Sequence, residues 1–337
     1  FFLFLCRLQT MEYQVKIYGK KEDLPPLNDV KFFHYVSSFD WNQNISFYRP
    51  MMLIVFCDEK PIASMFALIM RINRLMYGSV FKRCYISQQP SFYEENVNKI
   101  EIFNLLISSL VKEVENKVFF IEYRNLNDAV FGYKGFRENG FYSAKWINVR
   151  NSLQRKRKIW DQLSSTRKNQ VNKARRKGVV VEELTSHDKL REIYKLIDKS
   201  RNWKMSKKFP PYQYFENFFN CYVSLGKGKI LISRYNEKII GGIILGFEQK
   251  TVYVLYFWGK EKRYKTYYPT VFTIFSAMEI AEKEGYEFFD FMDSGYLNIN
   301  AGKPRFLLQF GGKPKSTRRW YRFNWRLLNF FAKKIYD

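Results

Sequence analysis

The chain has 337 residues, 46% of them hydrophobic and 19% aromatic, enough apolar material for two packed cores rather than one. Its 57 Lys and Arg against 32 Asp and Glu leave a formal charge of +25, a surplus that points to polyanionic partners such as RNA, an anionic membrane face or a phosphorylated substrate. Four scattered cysteines without a Cys-x-x-Cys pair, and only two histidines, His34 and His187, argue against a disulfide framework, zinc or Ser-His-Asp chemistry, so no metal is expected.

Residues 1–10 begin Phe-Phe-Leu-Phe-Leu-Cys-Arg, an apolar run too short to span a membrane, with its charge after the run and not before it. Met11 reads as the start and residues 1–10 as an upstream extension; with no other transmembrane stretch, a cytoplasmic location is expected. From 11 to 150 the pattern predicts a strand at Tyr13–Tyr18, a Pro-Pro turn and a helix near Val30–Ser38. A hairpin then joins Met51–Cys57 to Pro61–Ile72 through Asp58-Glu59-Lys60, and a further strand covers Leu75–Ile86. Val97, Ile100, Phe103, Leu106, Leu110 and Val114 recur at helical spacing before a strand at Val118–Tyr123.

Residues 151–178 form a basic helical connector, with Ser164 or Ser165 as cap and Gly178 as stop. A strand at Val179–Glu183, a helix opened by Thr185-Ser186-His187-Asp188 and an aromatic helix at Tyr212–Tyr222 follow. Three strands then succeed one another, Lys229–Tyr235, Ile239–Phe247 and Thr251–Trp258, the first two about the turn Asn236-Glu237-Lys238. Val271, Ile274, Phe275, Met278 and Ala281 define a helix from Pro269 that Gly285 ends, and Phe288–Asp293 is a buried-strand candidate. The last segment, 324–337, is a basic, aromatic helix that either packs on the domain or lies on an anionic membrane.

The order repeats. Residues 52–63 mirror 230–241, 118–123 mirror 288–293, and 136–141 mirror 306–311. Three antiparallel strands feeding a helix and another strand resemble the GNAT acyltransferase fold. The text Ser-Thr-Arg-Lys-Asn-Gln-Val-Asn-Lys-Ala-Arg-Arg-Lys-Gly-Val-Val-Val at 165–181, then Gly241-Gly242-Ile243, Glu287–Asp293 with Gly295, and Phe310-Gly311-Gly312, resemble the FemAB/FemX family. The resemblance implies an α/β (α+β) protein of two tandem GNAT-like domains, at 11–150 and 179–323, each a mixed, mainly antiparallel sheet flanked by helices. It also implies aminoacyl transfer from tRNA to peptidoglycan precursors, or acyl transfer in polysaccharide assembly. The chain departs from the family pattern in two places. Gln88-Gln89-Pro90 stands where the family has Arg-Gly-Pro, and Phe306-Leu307 stands for a Phe-Lys pair, leaving Lys303 or Arg305 to supply the cation.

Acyl transfer needs a donor or cation for the carbonyl oxygen and an acceptor for the amine's proton. Asp293, at a strand's C-terminal end, is the candidate base or amine ligand, with Tyr256 and Tyr267 as candidate acids or orienting groups; packing or turn-capping roles are the alternatives. The loop Gly259–Pro269 has glycine only at its start, which disfavours a backbone cradle for the pyrophosphate of coenzyme A. Lys260, Lys262, Arg263 and Lys265 are candidates for holding phosphates by side-chain charge, and Arg167, Lys173 and Arg175 for lining an anionic substrate's path; solvated faces are the alternative.

Three functions fit. The first is transfer of an acyl or aminoacyl group to an amine of an anionic, nucleotide- or lipid-linked envelope precursor; the second is coenzyme A-dependent N-acetylation of polysaccharide amino sugars; the third is non-catalytic binding of RNA or membrane. The donor is aminoacyl-tRNA or acyl-CoA, with no tightly bound cofactor, and a peripheral position at the inner membrane face accompanies the first reading.

Overall fold

The computed structural model describes residues 12–28, 31–71, 81–126, 128–154, 158–200, 210–296 and 302–336. The expected extension at 1–10, the start at Met11 and the first residues of the strand expected from Leu75 lie outside them.

The strands are β1 (Tyr13–Tyr18), β2 (Arg49–Cys57), β3 (Lys60–Arg71), β4 (Lys82–Ile86), β5 (Ser91–Phe92), β6 (Phe120–Asn125) and β7 (Tyr142–Ser152) in the first half. The second half adds β8 (Val180–Glu183), β9 (Gly228–Tyr235), β10 (Lys238–Glu248), β11 (Thr251–Gly259), β12 (Phe288–Asp290), β13 (Gly295–Tyr296) and β14 (Lys313–Phe323). The two repeated hairpins close on two-residue loops in which both central residues are left-handed, Asp58 and Glu59 at φ 48° and 65°, Asn236 and Glu237 at φ 45° and 61°. That geometry matches the right-handed twist of the strands it joins, which fixes the register of each hairpin.

All 14 strands belong to one sheet, ordered β1-β2-β3-β4-β6-β14-β7-β12-β11-β10-β9-β8, with β5 on β3 and β13 on β7. The main helix of each half gathers an apolar cluster of its own, and a third cluster joins the two, with Phe32 and Trp41 packed among Phe215, Phe218 and Tyr253. In the first half, the helix Lys99–Val114, capped by the Asn98 side chain, buries Phe103, Leu106 and Leu110 against β2, β3 and β6. In the second, the helix Pro269–Lys283 buries Val271, Ile274, Phe275 and Met278 with Val171 and Ala174 of the helix Ser165–Arg176. Ser164 caps that second helix by accepting from Arg167 N, and Gly178 ends it at φ +75°. The strand Lys313–Phe323, read from sequence as part of the second domain, hydrogen-bonds instead to β6 and β7 of the first half.

Two features shape the space between the halves. First, β11 and β12 pair in parallel only from Thr251–Tyr253 to Phe288–Asp290 and then separate. A bulge opposite Ile244 and Leu245 leaves Leu255 without a partner, bending β11 where the gap opens. Second, the segment Phe32–His34 docks across the junction. Phe32 is fully buried against Gly246, where a Cβ would lie 2.3 Å from its ring, so only glycine admits this contact.

Beside that contact the buried Glu248 carboxylate accepts from Phe32 N–H (2.6 Å) and Gln88 Nε2 (3.0 Å) and stands 3.9 Å from Lys31 Nζ. His34 completes the seam; its Nδ1 accepts from Phe66 N–H at 2.6 Å, and its Nε2 faces Gln88 O at 3.1 Å. Those bonds define the Nε2–H tautomer, and burial lowers its pKa to about 4. Glu248→Ala is expected to destabilise the protein by about 3–5 kcal/mol, because it strands a backbone N–H and an amide at the seam, and Glu248→Gln by less. Urea unfolding checks both.

Candidate active site

A cavity of about 560 Å³ opens where β11 and β12 part. Val254–Phe257 of β11 form one wall and Phe291, Met292 and Asp293, just beyond β12, another. The first half closes it with Phe66, Leu68 and Met70 of β3, Tyr85 of β4, Arg124 of β6 and Trp41. It thus lies in the crevice beyond the C-terminal ends of a parallel strand pair, between the two halves.

Its polar end is a network of ions. Asp293 Oδ2 accepts from Arg124 Nη1 at 2.8 Å and is paired with Arg319 Nη2 of β14. Arg124 Nε also donates to Glu122 Oε1 at 3.0 Å, and Arg83 Nη1 donates to Glu122 Oε2 at 2.6 Å. Strand register explains the gathering. Glu122 and Arg124 alternate onto one face of β6, Arg319 stands opposite Arg124 across the β6–β14 ladder, and Tyr85 opposite Glu122 across β4–β6. Arg319 lies flat on Trp146, 3.7 Å from the ring centre.

Burial would raise the pKa of Asp293, but Arg124, Arg319 and Lys303 together hold it below the usual carboxylate range. The same balance, burial against Arg124, Arg83 and Arg319, keeps Glu122 ionised. Asp293 is therefore a weak base and a strong hydrogen-bond acceptor. Its Oδ1 is buried and has no hydrogen-bond partner among the described residues.

The backbone is bent to aim Asp293. Met292 is left-handed at φ 48°, an uncommon state for a residue with a side chain, and Asp290 Oδ1 holds the bend by accepting from Met292 N–H at 2.5 Å. Lys303 Nζ donates to Asp293 O at 2.9 Å. Desolvation, with Arg124 and Arg319 nearby, lowers its pKa against the pull of Asp293. Tyr256 bonds to Tyr214 through their hydroxyls, and burial raises its pKa, keeping the phenol protonated at neutral pH.

A second cavity, about 710 Å³, adjoins the first and shares Phe257 and Lys303 with it. It lies at the N-terminus of the helix Pro269–Lys283 among Arg167, Lys262, Lys265 and Phe306. Arg167 is buried, stacks on Phe306 at 4.2 Å and donates to Phe306 O at 3.3 Å; burial lowers its pKa to about 10 against the pull of Glu261. The helix terminus offers little to an external anion, since Pro269 has no N–H and Thr270 N–H donates to Glu261 Oε1 at 3.1 Å. The residues present thus fit a phosphate chain held by side chains better than one held by backbone.

Among the residues singled out from sequence, Asp293, Tyr256 and Lys303 meet in the first cavity, and Arg167 and Lys303 in the second. Tyr267 packs on Tyr235 and under Lys177, lining neither. Arg175 pairs with Glu279, 3.2 Å away; Lys173, Arg263 and Arg305 are exposed outside both cavities, and Lys260 lines neither. Sequence reasoning missed Arg124, Glu122, Arg83 and Arg319. Their signal is charge at alternate positions of an otherwise apolar strand, as in Ile121-Glu122-Tyr123-Arg124. Among the described residues no group of three or more His, Cys, Asp or Glu could hold a metal ion.

Residues 164–297, which include β11, its helix and Asp293, match the family of acetyltransferase (GNAT) domains. The chain carries a GNAT acyltransferase domain. A comparison with curated proteins finds no match. Among solved structures, the GNAT chain is similar to FemX, with a TM-score of 0.65 at 12% identity over 90% of this chain and 94% of that one. It is similar to a tandem GNAT protein from the clavulanic acid biosynthesis pathway (TM-score 0.54, 8% identity, 86% of each chain). It is also similar to the C-terminal domain of a proposed lysylphosphatidylglycerol synthetase from Agrobacterium fabrum (TM-score 0.53, 14% identity, 79% of this chain and 83% of that one). At these identities the likeness establishes the FemX-like tandem GNAT fold.

Asp290 supplies a test of the bend. Burial raises its pKa to about 6, with Met292 N–H and Arg150 opposing. A carboxyl raised above its unfolded value near 4 stabilises the fold below about pH 4, and that contribution is lost as pH rises through 6. Asp290→Asn keeps the acceptor for Met292 and cannot ionise. It is expected to match the wild type near pH 4 and to exceed it at pH 7 by on the order of 1–3 kcal/mol, read from thermal melts across that range.

Proposed function

We propose that this GNAT protein transfers an acyl or aminoacyl group to an amine of an anionic cell-envelope precursor. The observation that carries the reading is Asp293 in the first cavity, tied to two arginines through one oxygen, with the other unpartnered among the described residues, beside Lys303, which both cavities share. The first cavity takes the acceptor. Its amine donates to Asp293 Oδ1, and Arg124 meets a carboxylate or phosphate of the same molecule. The second takes the donor, with Arg167, Lys262 and Lys265 on its phosphates.

Lys303 belongs to both cavities, where its ammonium faces the carbonyl oxygen that gains charge as the amine attacks. The new bond is N–C. The bond that breaks is the donor's ester C–O or thioester C–S; Tyr256 O–H protonates the departing oxygen or sulfur, and the proton the amine releases to solvent is balanced by the one that solvent returns to Tyr256. Aminoacyl-tRNA is the favoured donor, because Glu261 occupies the helix terminus against which a pyrophosphate would rest.

The decisive assay offers charged tRNA and acetyl-CoA separately with nucleotide- and lipid-linked envelope precursors and follows label transfer. Transfer from the tRNA is expected; transfer from acetyl-CoA alone moves the protein to the N-acetylation reading, and transfer from neither overturns both. Asp293→Ala is expected to lower kcat/KM by about 100-fold or more. Arg124→Gln is expected to raise KM for the anionic acceptor by roughly tenfold with a smaller change in kcat.

A further inference from the structure

The C-terminal helix Arg326–Tyr336 is mounted with its large apolar side chains outward. Asn329 ties it down, its Nδ2 donating to Gly140 O and its Oδ1 accepting from Phe323 N–H, both at 2.9 Å. Ala332 is the buried residue, and Tyr336 stacks on Tyr142 with ring centres 5.4 Å apart. Leu327, Phe330, Phe331 and Ile335, spaced three and four apart on one face, are exposed, with Leu327 and Ile335 at 74% and 77%. Trp325, 70% exposed, stands just before the helix. A helix that fed the core would turn these residues inward; here its amide and its alanine face the protein instead.

The charge around that face is mostly of one sign. From Lys313 to the terminal Asp337 there are eight Lys or Arg against that one acid. Arg326 and Lys334 are exposed on the helix itself, Lys334 with its ammonium 4.8 Å over Phe330. Trp325 also edges a cleft of about 630 Å³ that Arg49, Lys82 and Lys117 line, with Glu115, which pairs with Arg322, as its acid. Among the described residues no helix is long and apolar enough to cross a membrane.

We propose that this helix docks the protein on an anionic lipid surface, burying Leu327, Phe330, Phe331 and Ile335 at the level of the headgroups. Trp325 sits at the interface, where an amphipathic ring is stable, and Arg326 and Lys334 meet lipid phosphates. A second copy of the chain is disfavoured as the occupant, because it would bring two basic faces together. The surface lies outside both cavities, so the inference stands whichever donor and acceptor the GNAT domain uses.

Vesicle co-sedimentation of the full chain tests it, with phosphatidylcholine alone against phosphatidylcholine containing roughly 30% phosphatidylglycerol. Binding is expected to the anionic vesicles and to fall by at least about tenfold on the neutral ones. The double variant Phe330→Ser, Phe331→Ser, altered only at exposed positions, is expected to keep the wild-type melting temperature and lose binding by at least about tenfold. Arg326→Glu with Lys334→Glu is expected to weaken binding on anionic vesicles specifically. Three results would overturn the proposal: wild-type protein left in the supernatant with anionic vesicles; the double serine variant binding as the wild type does; or a dimer in sedimentation equilibrium that the serine variant dissolves while vesicles go unbound.

Discussion

Everything at the centre of this protein depends on one backbone ladder, the insertion of β14 between β6 and β7. Without β14, β6 and β7 would each present an open edge, and Glu122 would lose Arg319 from its set of cations. With it, Arg319 arrives at the height of Arg124, and the two guanidiniums converge on Asp293 from the other half of the molecule. The ladder bonds are ordinary; their consequence is that a carboxylate after β12 is pinned by cations from β6 and β14. Three arginines and Lys303 against two carboxylates also leave this buried end with positive charge to spare, the condition an anionic ligand satisfies.

The two seams divide the work. Glu248, with donors from Phe32 and Gln88 and the charge of Lys31 nearby, ties the halves together at the seam. The bulge at Leu255 and the short β11–β12 pairing then guarantee a gap, because strands that diverge after three residues cannot be closed by packing alone. Aromatic side chains narrow this gap without filling it, and the polar groups that remain are gathered at one end.

Much of the architecture was legible in the sequence because it is local. The alternation in Thr251–Trp258, the helical spacing from Val271 to Ala281 and the twin turns at Asp58-Glu59 and Asn236-Glu237 are each written within a dozen residues. Asp293 could be singled out because a carboxylate after an apolar strand is unusual wherever it falls. Arg319 could not. Its partners lie far away in sequence, and a basic strand near the C-terminus looks like a solvated tail until β14 is seen between β6 and β7. The cations Lys173, Arg263 and Arg305 show the opposite error, since charge density alone does not distinguish a residue facing a cavity from one facing water.

The path of the chain through the sheet also has a bearing on how the molecule is made. During synthesis β6 and β7 leave the ribosome long before β14, so the first half emerges with a slot in its sheet that only a distant segment can fill. Such a long-range closure is slow, and exposed strand edges invite mispairing while the nascent chain waits. Swapping of this strand between neighbouring chains is the natural accident of such a topology, and a chaperone that shields the slot would be the natural remedy.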